Sequence, residues 1–357
     1  MTEKTLMKGN EAIAEAAIKA GCRYFFGYPI TPQNAIPAYM SRRLPEVGGE
    51  FVQAESEVAA SNMVYGAAGA GARVMTSSSS PGISLKAEGI SYIAGSELPC
   101  VIVNMMRGGP GLGGIKPSQS DYFQATKGMA HGNFHLLVLA PSSVQEAVDV
   151  TMEAFELADK YRNPVMILGD GMIGQMMEPV EFKKKVDPDK LPVKEWATTG
   201  ADGRERNIIN SLYLDDDVLE ELNWKLKAKY DQMQKEDVKY ETYNLDDAEL
   251  VLVAYGTTAR IALSAMEKAR NEGIKVGMIR PITVFPFPKE IISETAARVE
   301  SFLTLELSTG QMVEDVRLAV NGAKPVYFEG WPGGNIPGPE EIYQKIVNVK
   351  KGGGARV

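Results

Sequence analysis

Short apolar runs alternate with longer amphipathic segments over the first 180 residues. The short runs have the length of strands buried on both faces, and the segments between them repeat their apolar positions every three or four residues, as amphipathic helices do. This alternation predicts a mostly parallel sheet covered by helices on both faces, which is an α/β fold. The predicted strands are residues 23–27, 51–54, 73–77, 100–106, 136–140 and 165–169.

Two of the predicted helices have clear end signals. The first, residues 11–20, follows Asn10, a favourable N-cap residue, and stops at Gly21. Another opens with Ser142 and Gln145, which are spaced as in a capping box. Because ligands of such folds bind beyond the carboxyl ends of the strands, the loops after the first four predicted strands are where we expect chemistry.

The alternation fails over residues 181–246. A stretch rich in proline and charge is followed by a charged segment whose apolar residues recur every three or four positions. We expect a connecting arm that contains one helix, whose apolar stripe could pack on its own domain or against a partner subunit. The stripe consists of Leu214, Val218, Leu222, Leu226 and Tyr230.

A second α/β unit follows the arm. The chain is therefore expected to divide into residues 1–180, the arm 181–246 and residues 247–350. The spacing of apolar runs in the last part predicts a doubly wound domain. Its strands are residues 250–255, 275–279, 301–306 and 326–328, and its helices start near Thr257, Pro288 and Thr309.

Composition and charge narrow the classes of function. The chain has 357 residues, 44% hydrophobic and 24% charged, which is close to a globular average. A net charge of −8 and the lack of a basic stripe argue against nucleic acid as a partner. Apolar runs fall well short of a membrane span, and the N-terminal residues do not resemble a targeting segment. We expect a cytoplasmic protein that does not bind membranes.

The cysteines and histidines are too few for a metal or cluster site of their own. Cys22 and Cys100 lie in or beside apolar runs and are expected to be buried structural thiols. His131 and His135 lie where a turn leads into a strand, and they would need carboxylate ligands to hold a metal. We expect no metal to be bound by this chain alone.

The first two loops present a hydroxyl and two carboxylates. In YPITP, residues 28–32, two prolines restrict the backbone around Thr31, whose hydroxyl could bind a ligand or cap the next helix. Glu55 and Glu57 precede a helix of small residues that another surface could approach closely. They could be catalytic, or they could simply interact with the dipole at the helix N-terminus.

The next two loops are rich in serine and glycine. SSSSPG, residues 77–82, could bind phosphate through backbone amides, although it could equally be a polar turn. MMRGGPGLGG, residues 105–114, places Arg107 at a strand end before a mobile type of loop, where a guanidinium could bind a carboxylate. No GxGxxG follows the first strand, which argues against a dinucleotide-binding domain.

Three of these motifs resemble, in order and spacing, the alpha subunit of the 2-oxoacid:ferredoxin oxidoreductases. They are YPITP, the ESE before the small-residue helix, and MMRGGPGLGG. The segments GDGMIGQMMEPV and LELSTGQMVEDV extend the resemblance over almost the whole chain. The length, GGPGLG and PSQSDYFQATKG are most similar to the 2-oxoisovalerate (branched-chain) type, with the 2-oxoglutarate type a close second.

The resemblance implies a fold, an activity and a cofactor. The fold is a pyrimidine-type thiamine-diphosphate-binding domain followed by a transketolase-C-terminal-like domain. The activity is the oxidative decarboxylation of a 2-oxo acid with coenzyme A to acyl-CoA and carbon dioxide, with electrons passed to ferredoxin. Thiamine diphosphate needs a carboxyl group against its aminopyrimidine nitrogen. Glu57 matches the family's position for this group, and Glu55 is the alternative.

The remaining site residues are also carried over from the family pattern. Thr31 and Arg107 match the positions that hold the oxo group and the charge of the substrate. The positions that match cofactor contacts, besides Glu57, are Tyr28, Pro29 and Ile30.

The chain departs from a complete thiamine enzyme. Gly169-Asp170-Gly171 is similar to the start of a magnesium–diphosphate motif, but the asparagines of that motif do not follow, so we interpret it as a strand end. The resemblance therefore implies a diphosphate- and Mg²⁺-binding beta subunit, a gamma subunit, and a delta subunit that carries the iron–sulfur clusters. The active enzyme is expected to be a hetero-oligomer that shares thiamine diphosphate between subunits.

Two other classes of function remain open at this point. The serine and glycine loops could make the chain a non-catalytic module that binds coenzyme A or a nucleotide. The chain could also be a transketolase-like beta subunit of a lipoate-linked, NAD-dependent dehydrogenase, although the YPITP loop speaks against that class.

Overall fold

Fourteen strands and twelve α-helices make up the part of the chain that the structure, a computed structural model, describes: residues 4–354 and residue 357. The strands of the first half are β1 Thr5–Lys8, β2 Tyr24–Gly27, β3 Glu50–Gln53, β4 Val74–Ser78, β5 Cys100–Met106, β6 Leu137–Leu139, β7 Pro164–Asp170 and β8 Met177–Val180. The helices of this half are α1 Gly9–Lys19, α2 Ala35–Glu46, α3 Glu57–Gly69, α4 Ser80–Gly95, α5 Tyr122–Thr126, α6 Val144–Tyr161 and α7 Gly171–Gln175.

The second half follows a 3₁₀ turn, Pro188–Lys190, and the arm helix α8 Asp216–Glu236. Its strands are β9 Tyr240–Tyr243, β10 Leu250–Val253, β11 Val276–Pro281, β12 Thr283–Phe285, β13 Ser301–Glu306 and β14 Val326–Gly330. Its helices are α9 Gly256–Asn271, α10 Lys289–Ala296, α11 Met312–Val320 and α12 Pro339–Lys350.

Two main sheets organise these elements, and the predicted α/β class is confirmed. The first sheet has the order β12-β6-β7-β5-β4-β2-β3, in which only β12 runs antiparallel to its neighbour. The second sheet has the order β14-β13-β10-β11-β9, and β9 is its antiparallel member. Since β3, β2, β4 and β5 are parallel neighbours, their carboxyl ends and the four loops singled out above meet along one edge.

Hydrophobic cores join the layers. One core lies between the first sheet and α1, α2 and α6, and includes Ile13, Phe25 and Val101. A second core begins under α3 and α4, around Ile83, and continues into the second domain at Phe302. The two domains therefore share buried apolar contacts and pack as neighbours on the face opposite α1.

The start of the first helix differs from the sequence prediction. The helix begins at Gly9 with Lys8 at the N-cap position, so the prediction of Asn10 as the cap is wrong. Asn10 is fully buried, and its Nδ2 donates to the carbonyl oxygen of Pro32 at 2.9 Å. The predicted stop is confirmed, because Gly21 has a φ of +88° just beyond the helix.

The capping box of α6 is also displaced by one residue. Ser143, not Ser142, is the N-cap, and its Oγ accepts from the amide of Glu146 at 3.1 Å. The Glu146 carboxylate accepts from the amide of Ser142 at 2.7 Å. The reciprocal pair is therefore formed by a glutamate rather than by Gln145, whose side chain instead contacts Asp149 and Glu181.

The arm uses its apolar stripe unevenly. Leu226 and Tyr230 of α8 are buried in the core of the first domain, so this half of the stripe packs on its own chain. Leu214 and Val218 are exposed, by 87% and 46%. The second sheet includes β9, which lies before residue 247, so the last part of the predicted arm pairs with the second domain.

Across the described residues, no helix is long and apolar enough to cross a membrane.

Candidate active site

Glu57 lies at the first position of α3, just beyond the carboxyl end of β3. Ser56 is the N-cap, and its Oγ accepts from the amide of Ala59 at 3.1 Å, which fixes the start of the helix. Glu57 is only 6% exposed, whereas Glu55 is exposed. The Glu57 side chain covers Gly82 of α4, because a Cβ added to Gly82 would lie 2.7 Å from Glu57 Oε1. Glycine is required at position 82 for this carboxylate to lie there.

Several polar groups around Glu57 lack partners. Within the described part of the chain, the Glu57 carboxylate takes part in no hydrogen bond or direct ion pair. The hydroxyls of Ser78 and Ser79, at the end of β4, are also buried without a partner. Buried polar groups are normally paired, so unpaired groups at one site indicate a place where a ligand can bind. This cluster lies at the carboxyl edge of the first sheet.

Buried hydrogen bonds hold the loop that carries Thr31. The side chains of Asn10 and Gln175 both donate to the carbonyl oxygen of Pro32. Gln33 donates to the carbonyl oxygen of Tyr28, and Ser77 donates to Gln33 Oε1 at 2.5 Å. These buried contacts hold the loop against the ends of β4 and β7, so its residues are positioned before any ligand binds.

The loop residues predicted to contact ligands are accessible. Tyr28 and Pro29 are exposed, while Ile30 and Thr31 are half-buried. Helix α2 begins at Ala35 with Asn34 as the N-cap residue, so the alternative of Thr31 as the helix cap is wrong. Thr31 Oγ1 instead accepts from Asn34 Nδ2 at 3.3 Å.

Arg107 lies against the loop that carries Thr31, so the structure brings these two candidate residues together. Its Nη1 donates to the carbonyl oxygen of Thr31 at 2.9 Å and its Nη2 to that of Leu112 at 3.1 Å. The residue is 6% exposed, and its buried Nε–H has no partner. A guanidinium carries five N–H donors, so this arginine keeps capacity for an anionic group.

A polar network that the sequence analysis did not identify supports Arg107. Asp121 Oδ2 accepts from Ser80 Oγ at 2.6 Å and from Asn104 Nδ2 at 2.9 Å. Ser80 Oγ in turn accepts from the Arg107 amide at 3.0 Å. Burial raises the pKa of Asp121, while these hydrogen bonds and the Arg107 charge oppose the rise. The PSQSDYFQATKG segment was noted only as a resemblance, and the buried role of its aspartate depends on contacts distant in sequence.

The remaining candidate groups have structural partners. Asp170 ends β7 as predicted, and its carboxylate accepts from the amides of Met172 and Ile173 to cap α7. Cys22 and Cys100 are buried, and burial raises the pKa of each thiol to about 12. Among residues 4–354 and 357, no three His, Cys, Asp or Glu side chains are grouped so as to hold a metal.

Comparison with known proteins identifies the family. Residues 15–242 match the model described as pyruvate flavodoxin/ferredoxin oxidoreductase, thiamine diphosphate-binding, and residues 248–342 match the pyruvate:ferredoxin oxidoreductase core domain II. The chain belongs to the 2-oxoacid:ferredoxin oxidoreductase family, which confirms the resemblance seen in its motifs. The expected thiamine-diphosphate-binding class of the first domain is confirmed as well.

The relatives define the likeness more narrowly. The chain is 54% identical over 344 residues to the ketoisovalerate oxidoreductase subunit VorB of Methanothermobacter thermautotrophicus, covering 96% of this chain and 97% of that one. A solved 2-oxoglutarate:ferredoxin oxidoreductase from Magnetococcus marinus, with 2-oxoglutarate, coenzyme A and succinyl-CoA bound, superposes with a TM-score of 0.86 at 26% identity. That match covers 98% of this chain and 65% of the other. A split-gene transketolase (TM-score 0.59, 12% identity, 96% and 97% coverage) shares the fold.

The site has the features that the aminopyrimidine half of thiamine diphosphate requires. The buried carboxylate of Glu57 lies against Gly82 together with the hydroxyl of Ser78, which is buried without a partner, and the two groups can accept and donate hydrogen bonds to a polar ring. The residues present fit one half of the cofactor.

Proposed function

We propose that this chain supplies the aminopyrimidine-binding wall of a 2-oxoacid:ferredoxin oxidoreductase, and that its substrate is 2-oxoisovalerate. The complex would convert the 2-oxo acid and coenzyme A to acyl-CoA and carbon dioxide and pass the electrons to ferredoxin. The observation that carries this proposal is the buried, unpartnered carboxylate of Glu57, at the same sheet edge as the unpartnered Nε–H of Arg107.

Glu57 is proposed as the catalytic residue that exchanges a proton with the cofactor ring. When bound, thiamine diphosphate supplies a carbanion that attacks the 2-oxo carbon and an electron sink for the loss of carbon dioxide. Glu57 promotes this chemistry by hydrogen bonding to the ring nitrogen. Its burial excludes water from that hydrogen bond, and the Ser56 cap fixes its direction. Tyr28, Pro29 and Ile30 are proposed to contact the cofactor along the loop.

Thr31 and Arg107 are proposed to bind the substrate. The Arg107 guanidinium is already oriented by two backbone carbonyls, so its remaining donors can bind the substrate carboxylate without first being ordered. A contact with the carboxylate must loosen as carbon dioxide leaves. Arg107 should therefore contribute mainly to substrate binding and orientation.

The other parts of the reaction are proposed to lie on partner subunits. Glu57 and the Ser78 hydroxyl fit the aminopyrimidine half of the cofactor, and the diphosphate and Mg²⁺ are proposed to be bound by a beta subunit. Two cysteines, both buried, cannot ligate an iron–sulfur cluster, and the clusters are proposed to lie on a delta subunit. A gamma subunit completes the proposed complex. The exposed Val58 and Leu85 on the outer faces of α3 and α4 suit the approach of a partner.

The choice of 2-oxoisovalerate over 2-oxoglutarate follows the nearer likeness. The 54% identity is to a ketoisovalerate oxidoreductase subunit, whereas the 2-oxoglutarate synthase subunit KorA of Methanothermobacter marburgensis shares 37% and the solved 2-oxoglutarate enzyme 26%. The ratio of kcat/KM for the two oxo acids, measured with the complex and coenzyme A, decides between them. Tight binding of coenzyme A by the isolated chain, together with a dispensable Glu57, would instead support the non-catalytic module.

The first test is Glu57→Gln in the co-purified complex. Glutamine keeps the size of the side chain but cannot exchange the proton, so dye-linked oxidation of 2-oxoisovalerate should fall by about 100-fold or more. Assembly and oxo-acid binding should be retained, because neither depends on the carboxylate charge.

Glu55→Gln is the matched control for this substitution. Glu55 lies two residues away and is exposed, so its variant should keep nearly the wild-type turnover. Wild-type turnover in the Glu57 variant, or loss of turnover only in the Glu55 variant, would refute the proposed role of Glu57.

A further inference from the structure

Arg107 lies one residue beyond the point where the first sheet holds its strand. The pairing of β5 with β7 ends at Met106, opposite Asp170. A buried backbone amide past that point needs another partner, because an unpaired N–H inside a protein costs free energy. The partner is Ser80, the first residue of α4, whose Oγ accepts from the Arg107 amide at 3.0 Å.

Asp121 determines the direction in which the Ser80 hydroxyl donates. A serine hydroxyl has one proton. Ser80 Oγ lies 2.6 Å from Asp121 Oδ2 but 3.3 Å from the carbonyl oxygen of Arg107. The shorter contact is to a carboxylate, and a charged acceptor makes the stronger hydrogen bond. The proton is therefore directed to Asp121, which leaves a lone pair of Oγ for the Arg107 amide.

Asp121 is itself held in place by contacts from several elements. Asn104 Nδ2 donates to Asp121 Oδ2 at 2.9 Å, and Asn104 Oδ1 accepts from the Ser80 amide at 3.2 Å. The carbonyl oxygen of Ser120, the preceding residue, accepts from Gln311 Nε2 of the second domain at 2.7 Å. The carboxylate is thus connected to β5, to α4 and, through its neighbour, to the second domain.

The guanidinium of Arg107 does not pair with this carboxylate. It donates to the carbonyl oxygens of Thr31 and Leu112, and within the described residues it forms no ion pair. A direct ion pair would neutralise the charge that a substrate carboxylate needs. Asp121 instead acts on the backbone of Arg107, from which the side chain extends toward the loop that carries Thr31.

We propose that Asp121 is a positioning residue that fixes the backbone of Arg107 through Ser80 and thereby sets the affinity for the oxo acid. The inference rests on the proposed function, because it concerns how Arg107 binds the substrate. Groups that bind a substrate need to be held within about 0.5 Å of their working position. Because the contact is with the intact substrate carboxylate, its loss should change KM rather than kcat.

The test uses three single substitutions in the complete complex. Asp121→Ala removes the carboxylate, and Ser80→Ala removes only the hydroxyl. Each should raise KM for 2-oxoisovalerate by about tenfold and leave kcat within about twofold, because one buried hydrogen bond to the Arg107 backbone is lost. Asp121→Asn keeps an oxygen that can accept from Ser80, so its KM should stay within about threefold of the wild type.

A second readout does not need turnover of the bound molecule. Isovalerate has the carbon skeleton and the carboxylate of the substrate but no oxo group, so it can bind without reacting. Its inhibition constant should rise by the same factor as KM in Asp121→Ala and Ser80→Ala. The affinity for thiamine diphosphate, measured by calorimetry, should not change in either variant.

A double variant tests whether Asp121 acts through Ser80. If it does, adding Asp121→Ala to Ser80→Ala should change KM by less than about twofold, because the path is already broken. Asp159→Ala is the matched control. Its carboxylate is also partly buried and accepts from Arg73 Nε at 2.8 Å, but it lies at the end of α6, near the opposite edge of the sheet. This variant should lose thermal stability and keep the wild-type KM.

The outcomes separate this inference from the proposed function. Unchanged KM and isovalerate inhibition in Asp121→Ala and Ser80→Ala would overturn the role of Asp121. Additive effects in the double variant, equal losses in KM and kcat, or an Asp121→Asn variant as impaired as Asp121→Ala would overturn it too. Asp121→Leu, which fills the same space, replaces Asp121→Ala if that variant does not assemble. If Arg107→Lys leaves KM unchanged or Glu57→Gln retains full turnover, the proposed function fails instead.

Discussion

Arg107 shows how one side chain can be both fixed and unsatisfied. Two backbone carbonyls orient its guanidinium, and its Nε–H is buried without a partner. A buried donor without a partner costs free energy, on the order of 1 kcal/mol or more. A ligand that accepts from it recovers this energy, which favours binding of an anion at this point.

We expect Arg107→Lys to raise KM for the oxo acid by about 10- to 100-fold, which corresponds to the loss of a charge-assisted hydrogen bond. Lysine keeps the charge but cannot bind both backbone carbonyls and the substrate with one planar fork. The measurement is steady-state kinetics of the complex, with calorimetry of thiamine diphosphate binding as a control. An unchanged KM, or a loss confined to cofactor affinity, would contradict the substrate-binding role.

Some features at the residue scale were readable from sequence, and others were not. YPITP, Glu57 and Arg107 stand out because short motifs with prolines, paired carboxylates and glycines are unusual. The burial that distinguishes Glu57 from Glu55 depends on packing against Gly82, which no local pattern reveals. The fully buried Lys86 of α4 was also missed, although it left a signal in the sequence: it falls on the apolar face of the helix with Ile83, Ile90 and Ile93, where a charge is unusual.

At the scale of elements, the start of α3 decides where Glu57 points. Ser56 and Ser143 cap α3 and α6 with the same geometry, each accepting from the third amide of its helix at 3.1 Å. The two caps can therefore be compared as a test site and a matched control. One of them precedes a candidate catalytic residue, and the other lies on a helix outside the site.

We expect Ser56→Ala and Ser143→Ala each to destabilise the chain by about 1 kcal/mol, the usual cost of losing such a cap. The midpoint temperature of thermal unfolding should then fall by roughly 2 °C in both variants. Only Ser56→Ala should also weaken thiamine diphosphate binding, by several-fold, because Glu57 is the next residue. Equal cofactor affinity in the two variants would show that the cap does not position Glu57.

The elements that sequence predicted well are those with continuous apolar runs. Strands β5 and β13 have the predicted bounds, because strands buried on both faces differ sharply from their polar surroundings. β9, with the sequence YETY, and β8, with MEPV, were missed. These short edge strands pair through the backbone and carry side chains that would also suit a loop.

At the scale of the whole molecule, Gln119 connects the two domains through hydrogen bonds. The side chain is fully buried, and its Nε2 donates to the carbonyl oxygen of Tyr255 at 2.9 Å. Its Oε1 accepts from Thr258 Oγ1 at 2.6 Å and from the Leu307 amide at 3.0 Å. Asp121, which supports Arg107, lies two residues further along the same segment. The second domain therefore helps to hold the side of the candidate site that carries Arg107.

We expect Gln119→Ala to lower the protection of the segments around Tyr255 and Leu307 by about 3 kcal/mol in hydrogen exchange of the complex, because three buried groups lose their partner. Gln232→Ala, on the exposed face of α8, is the matched control and should change protection by less than about 0.5 kcal/mol. KM for the oxo acid should rise in Gln119→Ala alone. If hydrogen-exchange protection in that variant equals that of the wild type, apolar packing alone suffices to join the domains.

The edge strand β12 affects how the chain folds during its synthesis. It belongs by sequence to the second half, yet it pairs with β6 and closes the first sheet. During synthesis, the outer strand β6 of the first sheet stays uncovered until Thr283–Phe285 has left the ribosome. The two domains are thus not separable modules. A first domain expressed without the second would expose unpaired backbone groups at the β6 edge and would be prone to aggregate.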